Sequence, residues 1–521
     1  MKRVIEVSLG NGKTKEQVVT YIPGRYILAG MITLFEVVAI IGVMIVLCMF
    51  VPYFYVAVGI TTFAVELKII SSNDNPDYKI PWMLFVLVIP IVGLMLYLIF
   101  GSRKLKKKYL KRLNNLKNLS YEKDSSDLFE KLENENPTAC SQAKMLCNIA
   151  DAHLFTNTKQ TYFSSGEEYH KALLEDLKKA ERFIYLEYFI IEEGEFWNSI
   201  LEILKEKAKA GVDVKVAFDD IGCMATLPGN YAKQLKKFGI EATPFSRLKG
   251  QADNEFNNRN HRKISIVDGI VGYTGGINIA DEYIGKIERF GHWKDVGLRL
   301  EGEAVHELTK LFLIDFGINV NKELKLPEKL YPPSSVSESG FVVPFGDGPK
   351  PLYERRVGKS IIQNMLETAT KYVYITTPYL IIDNELCTSI ENSALRGVDV
   401  RIIVPHIPDK KMVFNMTKSF YKRLMDAGVK IYEYEPGFIH AKTYLADDKF
   451  AIVGTINLDY RSLVHHFENG VWMYDCKCIG NIKQDITETL NKSIEITPKM
   501  LKTSLFNRFF RALVRIFAPM L

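Results

Sequence analysis

Cysteine is scarce in this chain of 521 residues and occurs without pairing motifs. The seven cysteines include no Cys-x-x-Cys pair, which argues against a disulfide scaffold and a zinc ribbon. A disordered chain is excluded as well, because 47% of the residues are hydrophobic and 25% are charged. The composition therefore indicates a globular protein of two or more domains, with free thiols as expected in a reducing compartment.

Positive charge is missing from the middle of the chain, although the whole protein carries a net charge of +6. Residues 1–120 hold 15 Lys and Arg against 6 Asp and Glu, and residues 499–521 hold five cations and no acid. Residues 121–498 are consequently left with a net charge of −8. Because a nucleic-acid enzyme concentrates basic residues around its catalytic body, this distribution argues against a nucleic-acid partner.

Three apolar stretches predict transmembrane helices within residues 26–100. A span needs about 20 apolar residues, and the stretches Tyr26–Phe50 and Ile80–Phe100 are long enough. The stretch Val51–Ile70 is a weaker candidate, because it contains an acid and a base near its end. The sequence therefore predicts two or three spans and leaves the number open.

Basic segments flank both ends of the chain. Seven cations lie within Arg103–Arg112, directly after the third apolar stretch. Basic residues beside a span mark the cytoplasmic side and can contact anionic headgroups, so the rest of the chain is expected in the cytoplasm. The segment 1–25 is also basic, which favours an even number of spans. Residues 499–521 alternate apolar residues and arginines at helical spacing, which predicts an amphipathic helix in the membrane interface or docked on the protein body.

The soluble part repeats one arrangement of strand, helix and strand. Ile184–Ile190 and Val373–Tyr379 read as buried strands, and each is followed by a helical stretch and a Gly-Val-Asp-Val sequence. This order implies parallel strands covered by helices. We therefore predict an α/β fold in which two half-domains form a pseudo-dimer with a shared site. The predicted segments are an N-terminal segment 1–25, a transmembrane region 26–100, a connector 101–150, half-domains 151–340 and 341–498, and a C-terminal helix 499–521.

Each half-domain carries the pattern His-x-Lys-x4-Asp-x6-Gly-x2-Asn, and the copies lie 179 residues apart. Side chains two apart on a strand share a face, so joining the halves brings two His, two Lys and two Asn to one pocket. One imidazole can attack phosphorus while the other protonates the leaving alcohol, and the Lys and Asn groups stabilise the oxygens. The chemistry needs no metal or other cofactor, and none is predicted. The motif residues are His261, Lys263, Asp268 and Asn278 in the first copy, and His440, Lys442, Asp447 and Asn457 in the second.

The doubled motif resembles the phospholipase D superfamily, and over roughly residues 26–521 the chain is similar to the bacterial cardiolipin synthases. The resemblance implies that two phosphatidylglycerol molecules become cardiolipin and glycerol through a phosphohistidine, in the bacterial cell membrane and beside anionic lipids. It also implies that Asp295 and Glu468 orient the catalytic histidines. Asp268 and Asp447 belong to the signature of the superfamily, with bracing of a loop as an alternative role. The similarity includes Asn75-Pro76 before Trp82, Leu186-Glu187-Tyr188, His292-Trp293-Lys294-Asp295 and Asp459-Tyr460-Arg461-Ser462.

Three functions are compatible with the residues. They are a phosphatidyl transferase, a lipid hydrolase or headgroup-exchange enzyme using the same site, and a nuclease or non-catalytic scaffold. The charge distribution argues against a nuclease, the two intact motifs argue against a scaffold, and the resemblance favours transfer. His465-His466 stands where the family pattern is Leu-Asn, and His292 where a Gly or an aromatic residue is usual. Both departures bear on the choice of acceptor. The oligomeric state and the identity of the nucleophile stay open, although superfamily precedent favours His261.

Overall fold

A computed structural model describes most of the chain outside a few connecting and terminal segments. The basic run 103–112 and the predicted helix over 499–521 lie almost entirely outside the described residues. The described residues are 2–9, 13–20, 23–50, 52–101, 125–247, 257–320 and 338–501, with residues 112, 322, 324 and 515.

Helices and strands alternate through the body of the protein, as the repeat predicts. The described α-helices are α1 Pro23–Phe50, α2 Pro52–Ser71, α3 Pro76–Val88, α4 Pro90–Phe100, α5 Ser126–Glu135, α6 Pro137–Ala150, α7 Gly166–Lys178, α8 Glu195–Lys209, α9 Tyr231–Lys236, α10 Val305–Val320, α11 Val357–Thr368, α12 Asn384–Leu395, α13 Lys411–Asp426 and α14 Cys478–Asn491. The strands are β1 Lys2–Leu9, β2 Lys13–Thr20, β3 Thr158–Phe163, β4 Phe183–Tyr188, β5 Asp213–Asp219, β6 Glu241–Phe245, β7 Lys263–Val267, β8 Val271–Gly275, β9 His292–Lys294, β10 Gly297–Gly302, β11 Phe341–Asp347, β12 Tyr372–Thr376, β13 Leu380–Ile381, β14 Asp399–Pro405, β15 Lys430–Tyr434, β16 Gly437–Ile439, β17 Thr443–Ala446, β18 Phe450–Gly454, β19 Leu458–Asp459, β20 Glu468–Tyr474 and β21 Ser493–Glu495.

Two large sheets form the body, and their strands follow the same order. The first sheet runs β3-β10-β8-β7-β4-β5-β6, and the second runs β11-β20-β18-β17-β12-β14-β15-β21. In both sheets the strand–helix–strand units are parallel, whereas the strands that carry the motifs pair antiparallel with their neighbours. The shared order and strand directions confirm the predicted α/β fold of two repeated halves.

Equivalent glycines end the crossover helices of the two halves. Gly211 follows α8 and Gly397 follows α12, and both adopt a φ of +91°. Only glycine takes this conformation without a steric cost, which lets the chain leave the helix and enter the next strand. The central strand β4 is buried along its whole length, because helices cover both faces of the sheet.

The two halves are joined by backbone pairing as well as by a shared apolar core. The short strand β16 of the second half pairs in parallel with β9 of the first half. On the opposite side, Asn260 forms an isolated bridge with Phe467. Apolar residues of both halves, such as Ile264 and Val471, belong to one buried cluster. The interface is therefore continuous with the interior of each half.

The membrane region differs from the prediction in its third stretch. Among the residues that the structure describes, two helices are long and apolar enough to cross a membrane, with candidate spans Gly30–Leu47 in α1 and Tyr53–Ser71 in α2. The third stretch is not one continuous helix but forms α3 and α4, of 13 and 11 residues. The break lies at Ile89, because the following Pro90 disfavours a helical conformation in the residue before it. The second stretch, the weaker candidate in the sequence, is thus one of the two helices of span length.

The start of α3 is attached to the second half-domain. The carboxylate of Asp77 accepts hydrogen bonds from the backbone N–H of Asn384 at 2.7 Å and from the Tyr460 hydroxyl at 3.2 Å. The ring of Tyr78 lies 6.1 Å from that of His465. The helices beside the predicted membrane surface therefore contact the loop that leads to Glu468.

Candidate active site

Backbone hydrogen bonds from the other half-domain place both motif histidines. The N–H of His261 donates to the carbonyl of Phe467 at 2.9 Å, and the N–H of His440 donates to the carbonyl of Lys294 at 2.7 Å. Phe467 directly precedes Glu468, and Lys294 directly precedes Asp295. Each histidine is consequently held opposite the acidic residue of the other half.

The side chains form two histidine–carboxylate pairs across the interface. Nδ1 of His261 lies 3.0 Å from both carboxylate oxygens of Glu468, and Nδ1 of His440 lies 2.6 Å from Oδ2 of Asp295. A carboxylate at Nδ1 holds the proton on that nitrogen and leaves the lone pair on Nε2. The arrangement therefore presents two imidazoles whose Nε2 atoms are available for chemistry.

Burial determines the charge of both imidazoles. Burial lowers the pKa of His261 to about 3, and burial together with the nearby Lys442 lowers the pKa of His440 to about 4. Burial alone would raise the pKa of both acids, but contacts with His261 and His466 hold the pKa of Glu468 below its usual range, and the charge of Lys442 and the contact with His440 do so for Asp295. At neutral pH the site contains neutral imidazoles and ionised carboxylates.

The two motif lysines meet in the same site. The ammonium of Lys263 donates to the carbonyl of His261 at 2.6 Å, and that of Lys442 donates to the carbonyl of His440. Burial, and next the charge of Lys442, lower the pKa of Lys263 well below its usual value. Burial also lowers the pKa of Lys442, to about 8. Since each lysine affects charges on the other motif, the two copies converge on one buried site.

The two motif asparagines have different surroundings. The amide oxygen of Asn278 accepts from the N–H of Ile190 at 3.1 Å, and its nitrogen donates to the Tyr283 hydroxyl at 2.7 Å. Oδ1 of Asn457 is buried and has no hydrogen-bond partner among the described residues. Asn278 therefore holds neighbouring loops together, whereas Asn457 keeps a polar atom for another group.

The motif aspartates, which the sequence predicts among the catalytic groups, lie at the far end of the strand from the histidines. Strand β7 separates Asp268 from His261, and side chains that far apart on an extended chain cannot share a reacting atom. The Asp268 carboxylate accepts from the N–H groups of Glu181, Arg182 and Phe183 at 2.7–2.8 Å. Both motif aspartates occupy a turn at positive φ, 55° for Asp268 and 54° for Asp447.

Asp447 makes the matching contacts in the second half. Its carboxylate accepts from the N–H groups of Thr370, Lys371 and Tyr372 at 2.7–2.9 Å. These bonds join the motif hairpin to the start of the central strand and offset the strain of a turn that glycine would otherwise favour. The contacts of Asp268 and Asp447 therefore fit the alternative role, in which the motif aspartates brace a loop.

A buried ionic network beneath His261 was not predicted. The amide nitrogen of Asn260 donates to Glu187 at 2.5 Å and to Asp315 at 2.9 Å. Arg262 donates to Asp315 at 2.9 Å and to the backbone carbonyl of Glu468 at 3.0 Å. Burial and the charge of Asp315 raise the pKa of Glu187 well above its usual value. The sequence indicates this network through Asn260 and Arg262, which flank His261 and lie on the opposite face of an extended segment.

The two orienting acids are held in different ways. The Ser462 hydroxyl donates to Oε1 of Glu468 at 2.7 Å, and the Thr455 hydroxyl donates to Oε2. At the position equivalent to Thr455 the first half has Gly276, where a Cβ would lie 2.0 Å from Oδ1 of Asp295. Glu468, the longer acid, is thus hydrogen-bonded to a threonine, whereas Asp295, the shorter acid, lies against a glycine that leaves room for it.

His466 adds a third imidazole to this site. Its ring centroid lies 5.5 Å from that of His261, and its Nδ1 lies 3.6 Å from Oε1 of Glu468. Within the described part of the chain, His261, His466 and Glu468 form the one group of side chains whose potential metal ligands all lie within 4.8 Å of one another.

Both half-domains match the family described as "Cardiolipin synthase, PLD-like domain", over residues 173–305 and 362–490. The cardiolipin synthase of Halalkalibacterium halodurans is 33% identical over 482 residues, which cover 90% of this chain and 94% of that protein. The chain belongs to the cardiolipin synthase family. Cardiolipin synthase 2 of Bacillus anthracis is likewise 33% identical over 472 residues, covering 89% of this chain and 90% of that protein. The resemblance seen in the sequence is thereby confirmed, and the chain is an enzyme of the phosphatidyltransferase class.

Further similarities involve another bacterial protein, the N-terminal region and a solved structure. An uncharacterized protein of Streptococcus mutans is 42% identical over 462 residues, covering 87% of this chain and 99% of that protein. Residues 60–102 match the family described as "Phospholipase D-nuclease N-terminal". The crystal structure of phosphatidylserine synthase from Haemophilus influenzae has a TM-score of 0.56 over 74% of this chain and 98% of that protein. At 16% identity this likeness shows the fold alone.

Proposed function

We propose that the protein transfers a phosphatidyl group from one phosphatidylglycerol molecule to a second, forming cardiolipin and releasing glycerol. The proposal rests chiefly on the two histidine–carboxylate pairs, His261 with Glu468 and His440 with Asp295. Two neutral imidazoles, each with an available Nε2, supply the nucleophile and the acid–base that a two-step phosphodiester transfer needs. Family membership supports phosphatidylglycerol as the substrate.

In the first step, Nε2 of His261 attacks the phosphorus of the first phosphatidylglycerol. The bond from phosphorus to the headgroup glycerol oxygen breaks, and His440 donates a proton to that oxygen. His440 is neutral in the empty site, but a bound phosphodiester anion favours its protonated form. Superfamily precedent favours His261 as the nucleophile, with His440 as the general acid and base.

In the second step, a headgroup hydroxyl of the second phosphatidylglycerol attacks the phosphohistidine. His440 removes the proton from this hydroxyl, the bond from phosphorus to Nε2 breaks, and cardiolipin forms. The ammonium groups of Lys263 and Lys442 and the side-chain NH2 group of Asn457 donate hydrogen bonds to the non-bridging oxygens in both steps. Water in place of the second lipid would give phosphatidic acid, so the outcome depends on which acceptor reaches the intermediate.

The surroundings of the site support a reaction at a membrane surface. Helices α1 and α2 carry long runs of exposed apolar side chains, as expected for segments in contact with lipid. We propose that these helices make the protein multi-pass, with the catalytic body on the cytoplasmic side. The basic run at 103–112 supports this orientation and contact with anionic headgroups.

Product analysis tests the reaction. The purified protein is incubated in vesicles with labelled phosphatidylglycerol, and the lipids and the released alcohol are identified. We expect cardiolipin and glycerol in equal amounts. Phosphatidic acid as the main product would show a hydrolase instead.

A chromogenic lipid tests which histidine is the nucleophile. Nitrophenol leaves phosphorus without protonation, so a phosphatidyl nitrophenol needs the nucleophile but not the general acid in the first step. We expect His440→Ala to release one equivalent of nitrophenol in a burst and then stop, and His261→Ala to release none. A burst from His261→Ala alone would reverse the two roles. His406→Ala, a surface histidine outside the site, is the control and should turn over like the native protein.

A further inference from the structure

His466 lies in the active site beside Glu468 and His261. Its side chain is only 10% exposed, and neither ring nitrogen has a hydrogen-bond partner among the described residues. The nearest carboxylate oxygen, Oε1 of Glu468, lies 3.6 Å from its Nδ1. A buried imidazole next to an ionised carboxylate and a second imidazole provides three ligands that can coordinate a metal ion.

We propose that His261, His466 and Glu468 bind a divalent transition-metal ion, with Zn²⁺ as the preferred ion, and that the bound ion inhibits the enzyme. Two imidazoles and one carboxylate are a ligand set that binds Zn²⁺ in proteins and leaves a fourth position open. The inhibition rests on the proposed function, because it requires His261 to act on the substrate. The binding does not depend on that function.

The geometry needs only small movements to accept the ion. One ligand atom from each of the three residues already lies within 4.8 Å of the others. Ligands of a tetrahedral Zn²⁺ at about 2.0–2.2 Å stand a little over 3 Å apart, so the three atoms need to approach one another by at most about 1–2 Å. Glu468 keeps its hydrogen bond from Ser462 at 2.7 Å, which orients the carboxylate as an outer partner does in zinc sites.

The charges around the cluster permit a cation. Lys263 and Lys442 oppose it, whereas the buried carboxylates of Glu468 and Asp295 attract it. The two buried carboxylates thus offset the charges of the two lysines.

A bound ion prevents His261 from acting as the nucleophile, whichever of its two ring nitrogens coordinates the metal. If Nε2 binds the metal, its lone pair is no longer available for attack on phosphorus. If Nδ1 binds the metal, its proton is displaced and the neutral ring carries hydrogen on Nε2, which again removes the attacking lone pair. Coordination also takes the Glu468 carboxylate away from its role in orienting the ring.

Zinc binding to the full-length protein in detergent tests the site directly. The native protein, stripped of metal, is titrated with Zn²⁺ and the bound ion is measured by equilibrium dialysis. We expect His466→Phe, which keeps a ring but removes both nitrogens, to weaken the tightest site by more than about 100-fold. His466→Gln should behave in the same way if the phenylalanine variant is poorly folded. Unchanged tight binding in a folded variant would overturn the site.

The matched control is His406→Phe. His406 also pairs with a carboxylate, Glu433 at 3.0 Å, but the pair lacks a third ligand among the described residues. Its substitution should leave the tight site intact, and equal loss in both variants would contradict the proposed location.

The rate of lipid transfer tests the inhibition, with each variant compared with its own metal-free rate. Zn²⁺ should inhibit the native protein reversibly, with recovery on addition of a chelator, and the concentration for half inhibition should rise at least about 100-fold in His466→Phe. Tight binding without inhibition would overturn the inhibitory role and leave the site in place. A native protein that binds zinc but makes no cardiolipin would contradict the proposed function instead.

Discussion

The pairing of Glu468 with His261 across the two halves leads to a quantitative prediction for Glu468→Gln. The carboxylate accepts the Nδ1 hydrogen of His261 at 3.0 Å and two side-chain hydroxyl groups, from Ser462 and Thr455. Glutamine keeps the length and shape of the side chain but removes the charge. The imidazole then loses the partner that fixes its tautomer and stabilises the positive charge formed when Nε2 bonds to phosphorus.

The expected loss follows from the strength of one hydrogen bond to a charged group. Such a bond contributes about 1.5–3 kcal/mol, which corresponds to a decrease of about 10-fold to 150-fold in kcat/KM. The rate is measured as formation of cardiolipin from labelled phosphatidylglycerol in vesicles. With phosphatidyl nitrophenol, the rate of the burst should fall by the same factor while its amplitude stays at one equivalent. A variant that was only misfolded would lose amplitude instead.

Glu433→Gln is the matched control for this experiment. Glu433 is also buried and also contacts a histidine, His406, with Nδ1 at 3.0 Å, but this pair lies outside the active site. Its substitution should change kcat/KM by less than about twofold, since no group of the reaction depends on it. The orienting role of Glu468 is refuted if Glu468→Gln retains more than about a third of the native kcat/KM at an unchanged melting temperature.

Two further predictions concern the lysine and the glycine of the site. With a pKa of about 8, Lys442 is charged below pH 8 and neutral above it, so kcat/KM should fall about tenfold per pH unit on the alkaline side. Lys442→Arg keeps its charge, and an alkaline decrease at the same pH in its pH–rate profile would contradict this reasoning. Gly276→Ala places a Cβ 2.0 Å from Asp295 and should lower kcat/KM by about 100-fold. Gly480→Ala, a helical glycine with open space around it, should leave the rate unchanged, and equal rates for both variants would exclude the steric explanation.

Much of the fold was predictable because short local sequence patterns identify the repeat. The buried strand, the helix and the Gly-Val-Asp-Val sequence recur at matching places, and the strands β4 and β12 form where their apolar runs predict them. The glycines that end the crossover helices are visible as well, because the backbone conformation there requires them. The family also follows from the sequence, since the doubled motif and the similarity along the chain do not depend on tertiary contacts.

The membrane region shows where local patterns were insufficient. Hydropathy identified the third apolar stretch as a span, but the effect of Pro90 on the preceding residue divides it into two short helices. The second stretch, with charges near its end, forms the longer helix. Length and composition thus identified the region, whereas proline geometry determined which segments are continuous.

The sequence alone determined the inventory of the motifs: two histidines, two lysines and two asparagines, in two copies of one spacing. Only the tertiary structure decided how they combine, because the spacing within a motif says nothing about contacts between halves. Backbone pairing of Asn260 with Phe467, and of β16 with β9, sets each histidine against the acid of the other half. The motif aspartates lie at the far end of the strand, because an extended chain separates residues seven apart by about 23 Å. Their carboxylates bind backbone N–H groups within their own halves.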